Sequence, residues 1–166
     1  MRRLTAVVAV LALAACADEQ PTSAAGSREA LTPLASVEAP VVFNTQLLAE
    51  NEPNAASSSE SKGHAQVTVQ SDGTIEFMLS LNNKDDQTFT RAHIHKAPAG
   101  ANGPIHWDFH EPPQDAPFTD AHPPLRGTAR PRAVANVSDL LANPQLYYVN
   151  VHSTQFPGGV VRGQLP

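Results

Sequence analysis

Four of the seven histidines fall between Arg91 and His110, in the stretch RAHIHKAPAGANGPIHWDFH. His93 and His95 are two residues apart, and side chains two apart on a strand share one face with Cβ atoms about 6.5–7 Å from each other. At that separation two imidazoles can lean onto one ion, and a third ring from a neighbouring strand completes a facial ligand set. His152, in YYVNVHS, is the candidate for the third ring. Three neutral imidazoles at about 2.0–2.1 Å suit zinc or copper. His106 or His110 is available as a fourth ligand. Asp108 either binds directly or orients an imidazole through its second nitrogen.

Strands must carry these residues, and the apolar pattern from about Val41 onward has a period of two, the signature of half-buried strands. Ile75, Phe77, Leu79 and Leu81 alternate with polar residues, and Val67 and Val69 do the same ahead of Ser71-Asp72-Gly73-Thr74. Asp-Gly there predicts a hairpin turn with positive φ at both central residues. Further strands are expected at Val42–Ala49, Phe89–His95, Ile105–Phe109, Gly127–Val134, Leu146–His152 and Val160–Leu165, with Phe156-Pro157-Gly158-Gly159 as a tight connection between the last two. Alternation then assigns faces. Ile94 takes the core, and His93 and His95 the outside. Ile105, Trp107 and Phe109 form an apolar row opposite His106, Asp108 and His110. Tyr147, Val149 and Val151 lie opposite Tyr148, Asn150 and His152. Val161 and Leu165 bury, leaving Arg162 and Gln164 on the outer face.

One short helix is predicted, with Ser138 as its cap, Asp139 at the positive end of its dipole and Pro144 as its stop. Glu111 to Leu125 holds Pro112, Pro113, Pro117, Pro123 and Pro124, so it cannot be a central strand and should be an ordered surface excursion that shapes a site. Many short strands, one helix and no βαβ rhythm predict an all-β fold, an antiparallel Greek-key β-sandwich or flattened barrel.

The chain begins MRRLTAVVAVLALAAC, with two arginines, an apolar run too short to span a bilayer as a helix, and a small-residue processing site. Residues 1–15 read as an export signal. Leu13-Ala14-Ala15-Cys16 is similar to a bacterial lipobox, which implies cleavage before Cys16 and its lipidation, tethering the chain to a membrane face. Cys16 is the only cysteine, so no internal disulfide can form. Residues 16–40, rich in Ala, Ser, Thr, Pro and Glu, read as a solvated tether, and residues 41–166 as one domain. Loss of Arg2 and Arg3 takes the formal charge from −5 to −7. An acidic chain without a basic stripe argues against nucleic acid or anionic headgroups as partners.

AHIHKAPAGANGPI (Ala92 to Ile105) and YVNVHSTQFPGGVVRGQL (Tyr148 to Leu165) resemble the two signature segments of the CHRD domain, a family named for chordin and found also in microbial exported proteins. Weaker echoes are Phe43, Leu47, Glu52-Pro53 and Gly63. The resemblance spans nearly the whole globular part. It implies an immunoglobulin-like or superoxide-dismutase-like all-β fold and an extracytoplasmic location, and no particular biochemical activity. His93, His95, Asn150, His152, Gly159, Arg162, Gly163 and Gln164 fall on the family's motif positions. His106 to His110 depart from it, since apolar residues are more usual after the Gly-Pro step.

A second account of the histidines competes with metal binding: a neutral hydrogen-bonded network in which Asn150, Arg162 and Gln164 satisfy one another and pin loops to the sheet. His64 and His122 read as exposed loop residues. Gly100, Gly103 and Pro104 form no phosphate cradle, because no Lys or Ser-Thr pair follows and no helix opens there. No serine sits in a nucleophile elbow. Two functions from different classes remain. One is a membrane-tethered, non-catalytic binding or structural module holding a metal or a protein partner. The other is a dismutase-like copper or zinc metalloenzyme, although the disulfide common in that group is lacking.

Overall fold

The computed structural model of the chain describes residues 40–53 and 58–166. Cys16, the export signal and all but the last residue of the tether lie outside them. The described elements run β1 (Val41–Leu48), β2 (Lys62–Val69), β3 (Ile75–Asn82), β4 (Phe89–Lys96), β5 (Ile105–His110), β6 (Leu125–Thr128), β7 (Arg130–Pro131), α1 (Val137–Ala142), β8 (Tyr147–Ser153) and β9 (Val161–Gln164). Among the described residues no helix is long and apolar enough to cross a membrane.

The β2–β3 hairpin obeys alternation residue by residue: Ala65, Val67 and Val69 pair with Leu79, Phe77 and Ile75, and all six side chains are buried. Its turn differs from the expected one. Only Gly73 has positive φ (83°), and its N–H donates to the Gln70 carbonyl at 2.9 Å. The loop is thus a three-residue turn closed by a glycine bulge, which needs one left-handed residue rather than two.

All strand pairs are antiparallel, in the order β6-β3-β2-β1-β9-β8-β4-β5-β7. The expected strand from Gly127 to Val134 is two short ones, because the chain changes partner within it. β6 pairs with β3, and after Ala129 the chain pairs with β5 as β7. Ala129 N–H donates to Ile75 O at 2.8 Å and Arg132 N–H to His106 O at 2.9 Å. One continuous segment therefore joins the two ends of the sheet, and the architecture is all-β in its flattened-barrel form, nearly closed. Phe77 and Phe109 stack across the interior with centroids 4.2 Å apart, an aromatic pair worth about 0.5–1.5 kcal/mol beyond its burial.

The helix cap is Asn136 rather than Ser138: its side chain accepts from Asp139 N–H, placing Ser138 inside the first turn. Asp139 receives Lys96 from β4 and the Tyr147 hydroxyl from β8, which ties the helix to both strands. His64 lies in β2 between Gln46 and Ser80 rather than in a loop, whereas His122 is exposed.

Candidate metal centre

β4 and β8 pair with His93 opposite Asn150, His95 opposite Tyr148 and Arg91 opposite His152. Ile94, Val149 and Val151 face the interior, so His93, His95 and His152 share the other side of the sheet. That side is not open to water. His93 is 1 % exposed, and His95 and His152 are each 8 % exposed. The expected outer face is a polar layer beneath loops, and a strand's alternation separates two faces without saying what covers either.

The three rings meet there. Their centroids are 5.1 Å apart for His93–His152, 5.4 Å for His93–His95 and 5.9 Å for His95–His152. Each ring offers one nitrogen within 4.8 Å of the others. His93 Nδ1 and His152 Nε2 are 3.2 Å apart, close to the roughly 3.3 Å that separates two nitrogens on one tetrahedral zinc with bonds of about 2.05 Å.

Hydrogen bonds fix which nitrogens carry protons. His95 Nδ1 lies 3.0 Å from Gly103 O, and His152 Nδ1 lies 2.8 Å from Pro157 O. A carbonyl only accepts, so both Nδ1 atoms are protonated and both Nε2 atoms present lone pairs. His95 Nε2 is buried and, among the described residues, has no hydrogen-bond partner. His93 stands between two acceptors, His152 Nε2 and Glu111 Oε2, the latter 2.6 Å from its Nε2. The series Pro157 O, His152, His93, Glu111 thus has three contacts to fill, and two neutral imidazoles supply two protons. A third proton on the rings is opposed. Burial first, then the neighbouring His152 and His95, lowers His93 to about 3. Burial lowers His95 to about 4 and pushes His152 down as well. With His93 donating to Glu111, His93 Nδ1, His95 Nε2 and His152 Nε2 each keep a lone pair, and each ring is backed by an N–H held by a carbonyl or a carboxylate. That is how metal-binding imidazoles are oriented.

The remaining expected ligands divide. Asp108 lies opposite His93, with Oδ1 3.8 Å from His93 Nε2, and its carboxylate is held by Arg132 Nε at 2.8 Å. His106 and His110 do not join the cluster. Between Ile94↔Trp107 and His95↔Ile105 the residue His106 is extra, and between His93↔Asp108 and Ala92↔His110 the residue Phe109 is extra. Each bulge reverses the alternation. The His106 ring meets Tyr147 edge-on at 5.3 Å, and His110 meets Phe118 at 4.8 Å. Glu111 was not among the expected site residues. Its signal was its place, three residues beyond Asp108 at the start of the proline-rich excursion.

The CHRD domain family model matches residues 43–165 of the chain. The chain belongs to this family. No curated relative and no solved structure matches it.

In this CHRD domain the two signature segments supply the three rings and the carbonyls of Gly103 and Pro157 that orient two of them, while Asp108 and Glu111 come from outside both segments. The side chains of Asn150, Arg162 and Gln164 pin loops to the sheet, as the network account has it, but their partners are loop groups rather than one another. Arg162 and Gln164 both hold the loop that follows β4, and Asn150 reaches Glu52. Asn150 Nδ2 donates to Glu52, Arg162 donates to Asn102 Oδ1 at 3.5 Å and Pro98 O at 3.3 Å, and Gln164 Nε2 to Ala97 O at 2.9 Å and Gln145 O at 2.8 Å. The Arg162 guanidinium lies 3.3 Å over the Tyr148 ring, which also stacks with the His95 ring at 4.9 Å. Glu52 is buried, and desolvation, partly offset by Arg162, raises its carboxyl to about 7. Gly159 has φ +133°, and a Cβ there would stand 2.4 Å from Asn150 Nδ2, so this CHRD glycine makes room for the Asn150–Glu52 contact.

Proposed function

We propose that this CHRD domain is a non-catalytic, extracytoplasmic metal-binding module that holds one copper or zinc ion on His93 Nδ1, His95 Nε2 and His152 Nε2. Membership of a family found in exported proteins, the arginine-led apolar leader and Cys16 support a lipid-anchored position in the cell envelope. The observation that carries the metal reading is the missing proton. Buried polar groups are ordinarily paired, and here, with the His93 proton given to Glu111, His93 Nδ1 meets His152 Nε2 with no proton between them, beside a His95 Nε2 that has no hydrogen-bond partner among the described residues. A borderline cation supplies the positive charge that the protons do not.

Protein purified without chelator, assayed by elemental analysis and by calorimetric titration with Zn²⁺ and Cu²⁺, tests this. Wild type should take up metal. His93→Ala, His95→Ala and His152→Ala should lose uptake, while His106→Ala and His110→Ala should keep it. Equal uptake by all five variants would refute the assignment. The same ligand set would serve a dismutase-like centre, and superoxide turnover by copper-loaded protein separates that reading from the non-catalytic one.

A further inference from the structure

His93 uses both of its ring nitrogens. Nδ1 joins His95 and His152, while Nε2 faces a second group, in which Glu111 Oε2 is 2.6 Å away and Asp108 Oδ1 is 3.8 Å away. One ligand atom each from His93, Asp108 and Glu111 lies within 4.8 Å of the others. Resting on the three-histidine reading, we propose that a second divalent cation binds between His93 Nε2, Asp108 and Glu111, so that the His93 ring bridges two ions.

The two positions differ in chemistry. The first is all nitrogen. The second pairs one nitrogen with two carboxylates, a set that suits zinc or divalent copper. Arg132 and Arg91 stand where they balance the carboxylates when one ion is present: Arg132 Nε is 2.8 Å from Asp108 Oδ2, and Arg91 Nε is 3.5 Å from Glu111 Oε1. Both guanidinium arms are more than two-fifths exposed, at 43 % and 49 %, so each can swing to water as the second ion arrives. Loading is an exchange. The second ion forms a bond to His93 Nε2, the N–H bond to that nitrogen breaks, its electron pair stays on the ring, and the proton leaves to solvent. An ion already on Nδ1 draws charge from the ring and eases this loss, so the proton is released when the second position fills after the first.

Titration of the full chain with Cu²⁺ tests the proposal through stoichiometry, proton release and electron paramagnetic resonance. Wild type should bind two equivalents, the second releasing one proton per chain and diminishing the signal of the first through coupling across the imidazolate. Asp108→Asn should stop at one equivalent with an undiminished signal, and Glu111→Gln should also lose the second step. One equivalent in wild type, or two uncoupled equivalents that persist in Asp108→Asn, overturns the bridge and leaves the three-histidine site standing. No binding at all overturns both.

Discussion

Replacing Glu111 by glutamine exchanges one carboxylate oxygen for an amide nitrogen and changes the proton count beside His93. The amide can donate to His93 Nε2, which lets His93 Nδ1–H donate to His152 Nε2, so all three contacts of the series become filled without an ion. A completed buried hydrogen bond contributes about 0.5–1.5 kcal/mol. The ion pairs lost to Arg91 and Arg132, at 3.5 and 3.8 Å with both arginines substantially exposed, are worth about 0–1 kcal/mol. Since the amide bond to His93 is also weaker than the carboxylate one it replaces, the metal-free variant should lie within about 1 kcal/mol of wild type in stability. Metal affinity at the three-histidine site should fall. The variant stabilises the tautomer that occupies Nδ1 with a proton, and it replaces a carboxylate acceptor by a weaker amide one. Changes of this kind cost about 10–100-fold in affinity, or about 1.4–2.8 kcal/mol. Urea unfolding in chelator and in saturating Zn²⁺, with calorimetric affinities alongside, measures both arms. A metal-free Glu111→Gln protein less stable by 2 kcal/mol or more, or an affinity within threefold of wild type, would refute the proton inventory.

Acidification should destabilise the metal-free protein. His93 and His95, lowered to about 3 and 4, protonate in the unfolded chain near 6.5 but later in the folded one, so stability falls as pH drops from about 6.5 toward 3 and does not depend on these groups above that window. Urea midpoints across that range check it, and His93→Gln should flatten the slope. Glu52 acts with the opposite sign: raised from 4.5 to about 7, it contributes stability below 4.5 that is lost as pH rises through 7. Glu52→Gln should therefore reduce the loss seen between pH 5 and 8 in the same titrations. Gly159→Ala should cost about 2–4 kcal/mol, through a φ of +133° and a clash with Asn150 and Glu52, and denaturant unfolding reads it directly.

Period-two alternation was enough to put His93, His95 and His152 on one side of the sheet, because their strands bury Ile94, Val149 and Val151 on the other. It failed in β5 for a definite reason. Two bulges each insert a residue, and no local pattern in IHWDFH marks where the partner strand slips, so His106 and His110 were given a face they do not hold. Burial of the histidine layer was equally invisible, since periodicity does not say how a loop folds back: Gly103 and Pro157 return over His95 and His152 from only eight and five residues away, while the Asn150 beside them is met from much farther along the chain. Glu52 meets Asn150 across 98 residues of sequence. The helix start was off by two positions because Asn136 and Ser138 are both competent caps, and only the backbone decides between them.

The hand-over at Ala129 bears on how this protein behaves when copies are crowded. A strand with unpaired N–H and C=O groups is a template onto which another chain can add, and long flat ones seed fibres. Here the two outermost strands are four and two residues long and belong to the same stretch of chain, so each leaves little ladder on which a neighbouring copy could polymerise. Cutting the chain at Ala129 would free both rims at once and should turn a dispersed protein into an aggregating one.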